Sequence, residues 1–197
     1  MDIVEKIPFD FHTYMPSECL QEQGDPCRTL RFLLGGRVWA VRENAEQTYV
    51  FSERVTAPWT VQPERLLGLH NRYTLSLRAD TEAQFVEIPK QAVLTLLQNY
   101  SVFHLNFANM LSSEAQRRES LLWVRRPDLL ADRFRMFLHR RSLRPVGCKV
   151  VRIRMADLAD ELGTTRLRVS NMLADLAREG RVRHSRGEIV VPALERL

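Results

Sequence analysis

Hydrophobic and polar positions along the 197-residue chain change their spacing near Pro89. Between residues 29 and 89 the apolar positions come in short runs with partial two-residue alternation. The runs are TLRFLLGGRVWAVRE, QTYVFSERV, YTLSLRA and AQFVEIP, enriched in Thr, Val, Tyr and Phe. Branched and aromatic side chains that alternate faces suit a pleated, half-buried surface. A turn at Gly35-Gly36, then Pro58, Pro63, Gly68 and the region of Asp80, punctuate these runs. The segment therefore predicts short strands in a sandwich or small barrel, without alternating helices.

After Pro89 the apolar spacing becomes helical. PKQAVLTLLQNY predicts one short helix, and residues 101–124 predict a longer one of about six turns. One stripe on the long helix holds Phe103, Phe107 and Met110; an adjacent one holds His104, Ala108, Leu111, Ala115 and Leu122. Two stripes call for two neighbours, the strand domain and a partner helix across a dimer axis. A single wide stripe facing one core is the alternative. Residues 112–120 are polar apart from Ala115, which makes any seam thin there.

RRPD at 125–128 breaks the pattern, because a proline disfavours helix at the residue before it and suits a helix start. The expected division is residues 1–100, a sensor-like β domain, then the helix 101–124, then residues 125–197. DLLADRFRMFLHRRS predicts a further helix, LRPVGCK a loop and VVRIR a strand. Next comes LADELGTTRLRVSNMLADL, which predicts helices over 155–162 and 165–178. Leu158, Ala159 and Leu162 face inward on the first, and Val169, Met172, Leu173 and Leu176 on the second. A small residue, a glycine free to take positive φ four positions on, and a β-branched residue six beyond that meet the steric needs of a helix-turn-helix. A helical hairpin without a DNA role is the bland alternative.

Thr164 and Thr165 can N-cap the second helix, and no Glu or Gln completes a capping box with either. Arg166, Leu167, Arg168, Ser170 and Asn171 then lie near its N-terminal end, where a helix in a major groove first meets base edges and phosphates. Behind it, GRVRHSRGEIVVPAL holds two β-prone runs around Ser185-Arg186-Gly187. A basic hairpin in that place is a wing. Arg154, Arg183, Ser185 and Arg186 complete the expected DNA-binding set.

The charge distribution agrees with that placement. Residues 125–197 hold 17 Arg and Lys against 9 Asp and Glu, a net charge of +8, whereas residues 1–124 carry −3. One end of the chain is suited to a polyanion, although a solvated basic surface has the same count. With 45% hydrophobic and 27% charged residues the composition is that of a globular protein. No run approaches the roughly 18 apolar residues of a membrane span, and the N-terminus shows no secretion signal. A soluble cytoplasmic protein with no membrane partner is the expectation. The three cysteines, Cys19, Cys27 and Cys148, form no CxxC pair and are expected as free thiols. An enzyme is not expected. The strand region has only His70, not the His-x-His set of a cupin-type metalloenzyme, and no phosphate-cradling loop or Ser/His/Asp set at motif spacing occurs.

Head and front end together resemble the Crp/Fnr superfamily of transcription regulators. The resemblance implies an α+β chain: an N-terminal cyclic-nucleotide-binding-type β-roll, a long dimerisation helix and a C-terminal winged helix-turn-helix. YMPSECLQEQGDPCRTLRFLLGGRVWAV looks like the first strands of the roll, with Gly24 and Gly36 at its turns and little of the family's helical lead-in before it. The family's phosphate-binding cassette should follow as a glycine-glutamate pair, then an arginine and a small hydroxyl residue. Here APWTVQPERLLGLHNRYTLSLRA offers Glu64 for the glutamate, with Pro63 in place of the glycine, and Arg72 for the arginine. Tyr73 follows Arg72 where the hydroxyl residue belongs, and Thr74 comes after it. Pro63 also lacks the N–H that would face the ligand. The resemblance thus implies a kept roll, no control by cyclic nucleotides and an unknown effector, as in the subgroup with a VQPE-type motif.

The family's best-known members read bases with a glutamate at the position of Leu167 and an arginine at that of Asn171. This chain keeps neither, which implies a target other than a TGTGA-type half-site. A palindrome in double-stranded DNA read by a homodimer is expected, with RNA polymerase as a further candidate partner and no cofactor. The competing reading within the family is a redox or gas sensor carrying haem or an iron–sulfur cluster. Its ligands would come from Cys19, Cys27, Cys148, His12, His70 or His104, which show no cluster spacing.

Overall fold

The computed structural model describes residues 7–197. The first six residues, on which the expectation of no secretion signal partly rests, lie outside the described residues. The front strands are β1 (Asp10–Tyr14), β2 (Cys19–Gln21), β3 (Thr29–Gly35), β4 (Arg37–Glu43), β5 (Tyr49–Thr56), β6 (Trp59–Val61), β7 (Ser76–Ala79) and β8 (Ala83–Pro89). Helices α1 (Lys90–Asn99), α2 (Ser101–Leu122) and α3 (Leu130–Arg141) follow. The chain ends with β9 (Lys149–Ile153), α4 (Met155–Leu162), α5 (Arg166–Arg178), β10 (Arg183–Ser185) and β11 (Glu188–Val191). The expected α+β succession of β-roll, long helix and winged helix-turn-helix is present. No helix among the described residues is long and apolar enough to cross a membrane.

Two compact units divide the chain. One comprises Met1–Trp39 and Thr56–Ser120, the other Ala40–Val55 and Leu121–Leu197. In the first, an antiparallel sheet runs in the order β1-β8-β3-β6, and β2 pairs with β7. Leu30, Leu33, Val61, Leu66, Leu75, Leu77, Phe85 and Ile88 are buried in this unit. The turn at Gly35-Gly36 does not fold β3 back onto β4, because β3 is paired with β6 and β8. Gly36 has φ +82°, and a Cβ there would overlap the Glu82 carbonyl oxygen, so the close crossing needs glycine. Glu87 is buried on β8 but paired, accepting from Thr29 Oγ1 at 3.2 Å and lying 3.0 Å from Arg31 Nε. Pro89 ends the strand and precedes α1, whose Val93 and Leu96 are buried.

The second unit is a winged helix with an added strand. Its sheet runs in the order β10-β11-β9-β5, all antiparallel, so β9 has β11 on one side and β5 on the other. Pairing runs from Tyr49↔Ile153 to Glu53↔Lys149. Phe51 joins Phe134, Phe137, Leu138, Val151, Leu158, Val169, Leu173 and Ile189 in one continuous core. A strand far ahead of the head in sequence thereby covers what would otherwise be an open sheet edge.

Candidate nucleic-acid interface

The helix-turn-helix follows its sequence pattern closely. Leu158, Ala159 and Leu162 on α4 and Val169, Met172, Leu173 and Leu176 on α5 are all buried. Gly163 takes φ 59° and ψ 55°, the left-handed geometry expected of it. The N–H of Thr164 donates to the Ala159 carbonyl at 2.9 Å, closing the turn. Of the two expected caps, Thr165 is the N-cap, and its Oγ1 accepts the Arg168 N–H at 3.4 Å, a long and weak bond. Thr164 is not a cap. Its Oγ1 is buried with no hydrogen-bond partner among the described residues, and the residue belongs to the turn before the cap.

Thr165, Arg166, Leu167, Arg168, Ser170 and Asn171 are exposed together at the start of α5, with Thr164 partly covered. Leu167 is 70% exposed, a position where an apolar side chain gains little from the protein itself. In the wing, Arg183 pairs across to Val190, and the chain turns at Arg186-Gly187, where Gly187 has φ +79°. Arg183, Ser185 and Arg186 are exposed. No ion pair or hydrogen bond of the described residues holds the side chains of Arg166, Arg168, Arg183 or Arg186. Arg154 differs. Its Nε and Nη2 donate to Asp157 at 2.6 and 2.9 Å, which neutralises part of its charge.

Sequence reading missed the residues that brace this head. The Lys149 ammonium lies 2.7 Å from Glu53 Oε1, with side chains 0% and 2% exposed. Glu53 also accepts the N–H groups of Leu143 and Arg144 at 2.6 and 2.8 Å, fixing the loop after α3. Arg141 donates to the Tyr49 hydroxyl at 2.8 Å and to Glu161 at 2.8 Å, and its guanidinium stacks 3.9 Å from the centre of the Phe137 ring. Lys149 lies on the same face of β9 as the buried Val151 and Ile153, whereas Arg152 faces out, and that alternation was the local sign of a buried partner.

The cassette region belongs to the other unit, where Arg72, Tyr73 and Thr74 help line a concavity of about 310 Å³ and the expected ligand-holding side chains already have internal partners. Gln62, buried and left-handed at φ 38°, clamps Thr74: its Nε2 donates to Thr74 Oγ1 at 2.6 Å and its Oε1 accepts the Thr74 N–H at 2.9 Å. Glu64 is paired with Arg118 on α2 at 2.8 Å, and Arg118 is shared with Glu114 at 2.7 Å. Arg72 Nη1 donates to the Gly24 carbonyl at 2.8 Å. Tyr73 is buried with its hydroxyl donating to the Thr29 carbonyl at 3.2 Å, and burial pushes its phenol well above the usual range. Each of these four expected effector residues thus has an internal partner.

On α2, Phe107 is buried and stacks against Phe103 at 6.4 Å, whereas His104, Ala115 and Leu122 of the adjacent stripe are exposed and Ala108 and Leu111 half-buried. Cys19, Cys27 and Cys148 are free thiols, and the described residues contain no group of three side chains able to hold a metal ion. His12, His70 and His104 are exposed.

Two domain families match the chain. The cyclic nucleotide-binding domain matches residues 11–100 and the Crp-like helix-turn-helix domain matches residues 129–197. No curated protein matches the sequence. Among solved structures, the Thermus thermophilus catabolite activator protein is similar at 24% identity and TM-score 0.53, over 93% of this chain and 85% of that one. FixK2 from Bradyrhizobium japonicum is similar at 15% identity and TM-score 0.53, covering 96% of both chains. A transcriptional regulator from Thermotoga maritima aligns at 18% identity and TM-score 0.55 over 62% of this chain and 96% of its own. The solved structures share the fold, and the cyclic nucleotide-binding domain followed by a Crp-like helix-turn-helix domain makes this chain a Crp/Fnr-type transcription regulator.

Proposed function

We propose that the chain works in the cytoplasm as a homodimer that reads a palindromic site in double-stranded DNA and answers to a signal other than a cyclic nucleotide. The observation that carries the DNA reading is the set of four unpartnered arginines, Arg166 and Arg168 on α5 and Arg183 and Arg186 in the wing. Guanidiniums left without internal acceptors are suited to phosphates and to the guanine edge, while Leu167 and Asn171 are suited to a thymine methyl group and an adenine edge. Thr164, Thr165, Ser170, Ser185 and Arg154 serve as flanking contacts, Arg154 weakly because Asp157 already holds it. The stripe of exposed His104, Ala115 and Leu122 with half-buried Ala108 and Leu111 supports residues 101–124 as the dimerisation segment between a sensor-like part, 1–100, and a DNA-binding part, 125–197. A dimer placing two reading helices one helical turn apart on DNA would meet a palindrome, and RNA polymerase is the natural second partner of such a regulator. The role is one of binding, not catalysis.

The internal bonds of Glu64 and Thr74 and the burial of Tyr73 support the absence of cyclic-nucleotide control, since a ligand would have to displace Arg118 to reach Glu64 and Gln62 to reach Thr74, while Arg72 stays exposed on a concavity of about 310 Å³. Selection from random duplexes, followed by titration of wild type and Arg168→Ala at several salt concentrations, tests the DNA reading. The expected result is a two-fold symmetric site, a steep fall of affinity with salt and an affinity at least about tenfold lower for the variant. Equal affinity in a folded dimeric variant refutes it. Cyclic AMP or cyclic GMP raising the melting temperature by several degrees refutes the effector reading.

A further inference from the structure

The basic excess of the second unit is not confined to α5 and the wing. Four arginines, Arg126, Arg133, Arg140 and Arg141, line a concavity of about 230 Å³ formed by α3, the segment before it and the end of α4. Their sole acidic neighbour in the lining is Glu161, which is already engaged by Arg141 at 2.8 Å. Two of the guanidiniums crowd one acceptor: Arg126 Nη2 and Arg133 Nη1 lie 2.6 and 2.9 Å from the Leu162 carbonyl oxygen. Arg133 Nη1 also reaches the Gly163 carbonyl at 3.3 Å, while its Nε is buried with no acceptor among the described residues. Arg140 is exposed and unpartnered.

Carbonyl oxygens at a helix C-terminus attract cations but carry only partial charge, so they leave most of this positive charge uncompensated. A group with several anionic oxygens would supply the missing acceptors, and forked guanidinium donors match a phosphoryl group well. The volume lies below that of ordinary drug-sized pockets and suits a small, highly charged group. We propose that this concavity is a phosphoryl-binding site, filled either by a small free polyphosphate-type anion or by a backbone phosphate of DNA. Leu162 and Gly163 form the turn that sets α5, and the anion competes with their carbonyls for Arg126 and Arg133. Occupancy therefore reaches the reading helix, a consequence that rests on the DNA-binding reading, whereas the binding itself does not.

The test uses the full-length protein, wild type and Arg140→Gln, with Arg133→Gln as the second variant. Inorganic pyrophosphate is titrated at constant ionic strength, following heat and the arginine Nε–H resonances. Separately, binding to a random-sequence duplex is measured against salt concentration. A free anion as ligand predicts saturable pyrophosphate binding weakened at least about tenfold in both variants, with an unchanged salt slope on DNA. A DNA phosphate as ligand predicts a salt slope smaller by about one in each variant. The proposal is overturned if pyrophosphate binding and the salt slope are both the same in wild type and the two variants. Loss of DNA binding by Arg168→Ala is independent of that outcome and separates failure of this site from failure of the helix-turn-helix reading.

Discussion

Replacing Lys149 with Met removes the countercharge of a carboxylate that has no route to water. Glu53 is 2% exposed, and its oxygens accept from Lys149 at 2.7 Å and from two backbone N–H groups at 2.6 and 2.8 Å. Burial lowers the Lys149 pKa and the Glu53 carboxylate opposes that shift. In Lys149→Met the packing is nearly kept and the two N–H bonds remain, but the negative charge is uncompensated. Breaking one side of a buried pair costs about 3–5 kcal/mol. Adding Glu53→Gln removes the charge and keeps an acceptor for one of the two N–H groups, which bond to different carboxylate oxygens, so the double variant is expected to recover part of the loss, about 1 kcal/mol or more. Because two compact units do not guarantee one transition, the readout is hydrogen exchange at the fully buried Val151 and Leu173, whose amides report opening of the second unit. Lys149→Met exchange within about 0.5 kcal/mol of wild type, or a double variant no better than the single, refutes the idea that this pair joins β5 to the head.

Gly163→Ala is expected to cost about 1–2 kcal/mol, since L residues pay that much in the left-handed region. It should also loosen Arg126, which lies against the missing Cβ; Gly163→Asn should cost less, and equal melting temperatures for all three proteins would contradict the turn geometry. His139 has a pKa below its ordinary 6.5, first because burial disfavours the imidazolium and then because Arg135 and Lys149 repel it. The unfolded chain then takes up the proton first as pH falls, so stability is full above the ordinary value, declines between it and the folded pKa, and levels off below. His139→Gln should remove that part of the decline in melting temperature, and an unchanged profile would refute the assignment.

How far the chain was legible depended on the distance between interacting residues. α4 matched its expected limits because its periodicity, its glycine stop and the small Ala159 are all local. The wing matched for the same reason, a short turn between two β-prone runs, except that Ser185, expected in the turn, ends β10 and pairs with Glu188. The capping role failed for Thr164 because two adjacent threonines are equivalent on paper, and only the path of the turn decides which hydroxyl meets an N–H. In the cassette, the substitutions at Pro63 and Tyr73 were visible, but their replacement by an internal network was not. Gln62 serves as the clamp only because its left-handed backbone aims the carboxamide at Thr74, twelve residues on.

By itself the sequence determined the class of chain, the order of its parts and the steric frame of its reading helix, all of which follow from spacing along one segment. Tertiary structure alone decided which strand completes the head, since β5 and β9 meet through residues 96 positions apart and neither carries a mark naming the other. It also decided how the basic excess is divided. Charge counts sum over a segment, whereas a guanidinium is available to DNA or to an anion only where the fold has left it without an acceptor.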